Sequence, residues 1–457
     1  MAERATVATP VHFVTRAHLA LGNERVRAAV RSTAQLLADN RVAALDELVD
    51  ADAVRDAARD IRQRAIAALP ELLDTWAARF TANGGVVHRA RDAREAVEIV
   101  LRIASSRHPA LIAKGKSMAS EEIHLNDALD HAGHTVVETD LGEFIIQLAG
   151  EPPSHLIVPA IHKTRFDVAN LFSADAGHAV PPIVADEAAY ARARLRRTFL
   201  DADIGITGVN FAIAETGSIC LVENEGNGRM CTSLPKVHIA IMGMERIVAD
   251  LSELDVVLAV LARSATGQAL SVYTNIISGP RREDERDGPE EVHVVVLDNG
   301  RSRLRGTPFA DALDCIRCGA CLNVCPVYRH VGGHAYGSTY PGPIGAVLTP
   351  LLHPEDAAAR ELSEASTLCG ACTDACPVRI PLHDLLLRLR VRDARADAGP
   401  PRRLGFAVWS RLWASGPGYR ASIALARIAL RVAPRLRRGP GWLGAWTRTR
   451  DLPRVRS

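Results

Sequence analysis

Two short cysteine runs constrain the architecture of this 457-residue chain more than any other feature. One reads Cys315-x2-Cys318-x2-Cys321-x3-Cys325-Pro326 and the other Cys369-x2-Cys372-x3-Cys376-Pro377, together seven of the nine cysteines. Thiolates two residues apart on a tight turn can hold corners of one inorganic cubane, whereas the cysteine three residues further on points away. In two-cluster ferredoxins that last cysteine serves the other cluster. The spacing therefore predicts two iron–sulfur clusters with crossed ligation: Cys315, Cys318, Cys321 and Cys376 around the first, Cys325, Cys369 and Cys372 around the second. Such a chain moves electrons.

The second set is one thiolate short. When the second run is laid on the first, the missing position falls on Ser366. The alternatives are a 3Fe-4S cluster, a 4Fe-4S cluster with an oxygen or nitrogen ligand, and an iron left open. Ser366 is the nearest candidate ligand, and His330 and His334 in the intervening segment are the histidine candidates. Zinc sites usually pair two C-x2-C knuckles across a spacer, not three cysteines in tandem followed by a fourth and proline. A disulfide framework needs an oxidising compartment, and the first residues, MAERATVATPVHF, carry no basic start followed by an apolar run. Cys220, in a strand, and Cys231, in a loop, are expected to be free thiols.

At 47% hydrophobic content the chain can bury two or three domains. No apolar stretch approaches the roughly 20 residues that cross a bilayer, so a soluble, cytoplasmic protein is expected. Residues 1–80 carry apolar positions at helical spacing, with Leu45, Leu48, Ile61, Ala65 and Ala68 on recurrent faces, and form an N-terminal helical layer. Residues 81–306 change to β-branched runs alternating with amphipathic stretches. Strands are expected at residues 86–88, 110–114, 134–138, 154–159 and 204–208, with helices at 93–105, 117–132, 142–149 and 163–172 between them. Further strands at 218–223, 237–242, 271–277 and 292–298 have fewer helices between them. The fold class is α/β with a mixed, mainly parallel sheet. Residues 307–395 form a helical two-cluster module, in which 43 residues separate Cys325 from Cys369 and Gly332, Gly333, Gly337 and residues 340–345 make close turns. Residues 396–457 form a basic region.

Several polar turns are candidate ligand contacts. Residues 113–117, Ala-Lys-Gly-Lys-Ser, join a strand to a helix where backbone N–H groups and lysines can hold an anion, but show neither a Walker pattern nor a dinucleotide fingerprint. Glu138, Asp140 and Glu143 gather at another strand-to-helix turn, where acids also favour the helix N-terminus. Residues 214–218 and 224–228 are glycine-bearing turns that can admit substrate to the backbone or simply reverse the chain. His162 and Lys163 adjoin the same edge. From Pro401 onward there are thirteen arginines against one acid, Asp451, and four of the five tryptophans, Trp409, Trp413, Trp442 and Trp446. Arg420, Arg427 and Arg431 share a helix face, which suits an acidic partner or an anionic membrane surface. No nucleic-acid recognition motif accompanies the charge.

Taken in order, Gly115-Lys116-Ser117-Met118, Glu121-Glu122-Ile123, residues 138–143, residues 159–163, residues 214–218 and the two cysteine runs resemble the lactate-utilization protein B family over most of the chain. The resemblance implies an α/β domain of the sugar-phosphate isomerase and CoA-transferase type and two iron–sulfur clusters on the seven cysteines, with the same gap in the second run. It also implies companion subunits that together oxidise L-lactate to pyruvate. The reading is an electron-transfer subunit that delivers to a partner or a quinone pool, peripheral at the inner membrane face through its basic tail. The sequence shows no flavin or nicotinamide fingerprint. The alternative is a protein that binds a phosphorylated or CoA-like metabolite and uses its clusters to sense redox state.

Overall fold

A computed structural model describes residues 12–397 and 399–432. The described residues open with four helices, α1 (Phe13–Leu21), α2 (Glu24–Asp46), α3 (Ala51–Ala67) and α4 (Leu69–Ala82). Their starts are written locally: the Asn23 side chain accepts the Val26 N–H and Asp50 that of Ala53, and Pro70 occupies the first turn of α4. Val30, Ala34, Leu37 and Ala38 bury one stripe of α2, and Ala58, Ile61 and Ala65 one stripe of α3. Leu48 lies half-buried in the turn between them and Ala68 is exposed, so neither continues the stripe.

Ten strands follow in chain order: β1 (Val86–Ala90), β2 (Leu111–Lys114), β3 (Thr135–Glu138), β4 (Ile204–Gly208), β5 (Phe211–Ile213), β6 (Ser218–Glu223), β7 (Val237–Gly243), β8 (Ile247–Val248), β9 (Tyr273–Ile277) and β10 (Glu291–Leu297). Six of them form one sheet in the order β1-β10-β7-β4-β2-β3, parallel throughout. Burial on both faces explains the largely apolar sequences of β7 and β10, each interrupted by one buried histidine, His238 and His293. The expected α/β, mainly parallel fold is present, with its strands divided between two sheets. The remaining strands pair as β8-β5-β6-β9, with antiparallel β5–β6 and β6–β9 neighbours and a parallel β5–β8 pair.

The stretch 154–159 is not a strand. The Ser154 N–H meets the Pro159 carbonyl at 3.0 Å, and the His155 ring accepts the N–H groups of Ile157 and Val158, which curls the segment on itself and buries Leu156. The single helix expected over 117–132 is broken at His124, whose φ of 51° is left-handed, into Met118–Glu122 and Leu125–His131. Helices Val184–Asp201 and Leu251–Ala265 exceed the expectation. Cys231 sits on a short helix, Asn227–Ser233, where the sequence reading placed a loop.

In the cysteine-bearing stretch four helices are short, Ala320–Asn323, Pro326–Val331, Ala357–Glu361 and Ala371–Ala375, with the longer Gly342–Leu352 among them and Leu382–Asp397 after them. Gly342 opens a helix, so residues 342–345 are not a loop. Described residues up to Arg390 form one compact unit that joins the helical layer, the α/β sheets and the cysteine runs. The second unit holds helices Pro400–Ala414 and Gly416–Val432. No described helix is long and apolar enough to cross a membrane. Trp442, Trp446 and Asp451 lie outside the described residues, as does the side chain of Arg431.

Candidate functional site

The two cysteine runs repeat one local fold. Gly319 and Gly370 follow Cys318 and Cys369 with φ of 78° and 86°, and each starts a short helix. The residues just ahead, Arg317 and Leu368, are also left-handed, at 62° and 55°. The Arg317 N–H donates to the Cys315 sulfur at 3.4 Å, and the Leu368 N–H donates to the Ser366 hydroxyl at 3.1 Å. Ser366 thus occupies in the second turn the place that Cys315 occupies in the first.

Cys315, Cys318, Cys321 and Cys376 line one small cavity, closed by Leu156, Ile316, Ile344, Val378, Ile380 and Leu382. Cys376 reaches it from the distant second run. Burial pushes the Cys318 thiol up to about 12, and its Cys376 and Cys315 neighbours push in the same direction. Burial likewise raises Cys376 to about 12, and Cys315 adds to it. In the other group, burial raises Cys372 to about 12, helped by Cys325 and Cys369. Cys369 is exposed, and hydrogen bonds from the Thr367 side chain and the Ala371 N–H lower it. Thiols crowded in an apolar cavity resist ionisation unless a cation offsets the charge. The donor set therefore fits a cationic iron core. Two further backbone N–H groups face sulfur, Ile380 to Cys376 at 3.3 Å and Tyr328 to Cys325 at 3.5 Å.

The histidine candidates are engaged elsewhere. His330 bonds the Pro326 carbonyl at 2.7 Å, and His334 donates to the Pro152 carbonyl at 2.8 Å while its ring packs on His162. His162 and Lys163 share Glu151, at 2.6 and 2.5 Å. Glu151, His162 and His334 bring their donor atoms within 4.8 Å of one another, but the Lys163 ammonium already neutralises the carboxylate. Cys220 and Cys231 are buried free thiols.

A second, larger cavity of about 320 Å³ opens at the carboxyl ends of β2, β3, β4 and β7, where open parallel sheets usually receive ligands. Two of the polar turns noted in the sequence line it: Gly115, Lys116 and Ser117, and Asn224, Glu225, Asn227 and Gly228 of the turn after β6. Asp140 lines it too while capping helix Leu141–Ala149. The turn at 214–218 does not; Arg79 donates to its Ala214 and Glu215 carbonyls and Asn83 to that of Thr216, so it packs under α4. Lys114 points into the sheet instead, bonded to Glu138 at 2.5 Å and Glu121 at 3.0 Å. Burial opposes its charge, but these carboxylates hold it protonated, above its ordinary value.

Sequence reasoning missed the opposite wall. Arg317, between Cys315 and Cys318, lies over the Tyr340 ring at 4.5 Å and pairs with Glu245 at 3.3 Å. Glu245 also pairs with Arg301 at 2.8 Å, and Arg301 with Glu122 at 2.7 Å, which takes the Tyr340 hydroxyl at 2.6 Å. Despite burial, Arg301 and its hydrogen bonds hold the Glu122 carboxyl down at about 2. The one available signal was a basic residue inside a C-x2-C turn otherwise closed by apolar neighbours. Leu156 and Ile316 line both cavities, so one layer of side chains separates the thiols from the larger space.

Residues 73–297 match the LUD domain and residues 311–380 the 4Fe-4S dicluster domain. Lactate utilization protein B of Shouchella clausii (strain KSM-K16) is 50% identical over 379 residues, covering 81% of this chain and 79% of its own. That of Bacillus subtilis (strain 168) is 45% identical over 454 residues, covering 96% and 93%. A crystal structure of a DUF162 family protein from Deinococcus radiodurans covers 50% of this chain and 98% of its own at 16% identity, with a TM-score of 0.29. With the two domains in tandem and relatives of this identity along most of its length, the chain belongs to the lactate utilization protein B family.

Proposed function

We propose that this iron–sulfur protein is the electron-transfer subunit of a multi-protein system that oxidises L-lactate to pyruvate. The observation that carries the reading is the pair of cavities that share the Leu156 and Ile316 wall, one holding four thiols and the other a polar space at the sheet edge. Cys315, Cys318, Cys321 and Cys376 would hold one 4Fe-4S cluster; Cys325, Cys369 and Cys372 would hold a second, with Ser366 as its fourth ligand or with a 3Fe-4S core. Clusters there would supply one-electron uptake and release.

The chain's own residues prepare that role. Apolar side chains keep water from the first set, and backbone N–H groups donate to the sulfurs of Cys315 and Cys376. The buried Arg41 and Arg55 place positive charge beside Cys318 and Cys376, with Arg55 fixed by the Asp374 and Cys376 carbonyls. Companion subunits would carry the two-electron chemistry, and a quinone or another membrane-associated acceptor would take the electrons. Exposed Leu404, Phe406, Trp409 and Trp413, together with Arg420 and Arg427, support a cytoplasmic protein that docks peripherally on the inner membrane face.

The test is anaerobic iron and sulfide analysis of the purified chain, followed by mixing with the companion subunits and L-lactate. Bleaching of the cluster absorption and a reduced electron paramagnetic signal are expected. Metabolite binding with no cluster reduction would reject electron transfer in favour of redox sensing.

A further inference from the structure

We propose that Lys116 and Arg317 form the anchoring pair of a binding site for a small monocarboxylate in the 320 Å³ cavity. If the function above holds, that ligand is the 2-hydroxy acid or its 2-oxo product, so the inference deepens that reading and rests on it for the ligand's identity alone.

Volume limits the occupant first. A cavity of this size is at the lower end of ligand pockets and suits a small metabolite. The donors come next. Lys116 Nζ and Arg317 Nη1 are buried with no hydrogen-bond partner, and the nearest carboxylate oxygen to Lys116, on Glu143, is 3.8 Å away. Buried donor atoms without a hydrogen bond are costly inside a protein, and an anion with two oxygens relieves two at once. Arg317 is held ready for this: its side chain is 9% exposed, the guanidinium lies over Tyr340, and Nη2 pairs with Glu245.

Charge balance then separates carboxylate from phosphate. Lys116, Arg246, Arg301 and Arg317 on the lining are matched by Asp140, Glu223, Glu225 and Glu245. Arg301 is consumed by Glu122 and Glu245, and Glu223 accepts the Gly228 and Arg229 N–H groups. A wall with no surplus of positive charge suits a monoanion held by two donors, not a phosphate dianion. Ile316 precedes Arg317 and lines both cavities, so the bound anion lies one side-chain layer from the Cys315 set.

The experiment is anaerobic calorimetric titration of the full, cluster-loaded chain with L-lactate, pyruvate and inorganic phosphate. L-lactate or pyruvate should bind more tightly than phosphate. Lys116→Met and Arg317→Met should each weaken that binding by about 10- to 100-fold, the range for a hydrogen bond to a charged group, and Lys116→Arg should restore most of it. Arg317 adjoins cysteines, so its variant is scored only with unchanged iron content; Lys116→Met, outside the cysteine runs, decides the matter if that condition fails. Absence of carboxylate binding, tighter phosphate binding, or full affinity in Lys116→Met overturns the site. Carboxylate binding lost in Lys116→Met but with no cluster reduction by lactate and the companion subunits would leave the site standing and reject the function. Cluster reduction with undiminished binding in Lys116→Met would do the reverse.

Discussion

Gly319 and Gly370 show how much of the cysteine chemistry is decided one residue at a time. Each turn needs a left-handed residue just after a cysteine so that the next cysteine, three positions on, can curl back, and glycine adopts that conformation without steric cost. The crossed assignment makes a sharp prediction for Cys318→Ala: about half of the iron and sulfide should be lost, with one paramagnetic signal absent and the far-ultraviolet circular dichroism unchanged. Full iron content with an unaltered spectrum would refute it. Ser366→Cys tests the other gap. Because the Ser366 hydroxyl takes the N–H that its counterpart Cys315 takes with sulfur, a thiol there should shift the second cluster's spectrum towards four-thiolate ligation. An identical spectrum would place Ser366 away from the iron.

At the scale of elements, period and breaker residues marked most strands and the crossover helices, since a half- or fully buried strand and an amphipathic helix each write their burial into the sequence. Residues 154–159 carry Leu, Ile and Val, which favour a strand, whereas the His155 ring captures two N–H groups and coils the backbone. Strand β8, two residues long, carries too little pattern to see. Close packing between elements is equally invisible in a periodicity. Gly205 on β4 has its backbone against helix Asn227–Ser233, and a Cβ there would fall on the Cys231 carbonyl oxygen. Gly205→Ala should destabilise the chain by about 1–3 kcal/mol through forced displacement of that helix, measured as a lower denaturant midpoint; an unchanged midpoint would mean that the helix moves freely.

Across the whole molecule, buried arginines tie distant stretches together. Arg62 of α3, fully buried, donates to the carbonyls of Glu245 and Ile247 in the α/β region and Leu313 and Asp314 ahead of the first cysteine. Glu122, Arg301 and Tyr340 make a second tie, and it has a pH signature. The folded Glu122 carboxyl titrates at about 2, below the ordinary value near 4.3. Its stabilisation is therefore complete above the unfolded value and is lost as pH falls through the folded one, amounting to about 3 kcal/mol. Denaturant midpoints should fall between about pH 5 and pH 2, and Glu122→Gln should be less stable at neutral pH with a flatter profile. Parallel profiles would remove Glu122 from the account. In the second unit, the Trp409 and Trp413 rings pack in a tilted pair, centroids 5.2 Å apart, and remain exposed. Trp409→Ala with Trp413→Ala should reduce co-sedimentation with anionic vesicles by about 10-fold or more, while equal sedimentation would rule out a membrane-docking role for these rings.

The sequence alone determined that seven thiols occupy two turns of one kind, that the middle of the chain alternates strand and helix, and that the second run lacks a cysteine. These are local facts, set by spacing, propensity and backbone sterics over a few residues. Only the tertiary structure decided that Lys114 is spent inside the sheet while Lys116 faces a cavity, and that Arg317 forms the other wall. Those outcomes depend on which buried charges find partners across hundreds of residues, and the cost of leaving one unpaired is settled by the packed molecule, not by neighbours in the chain.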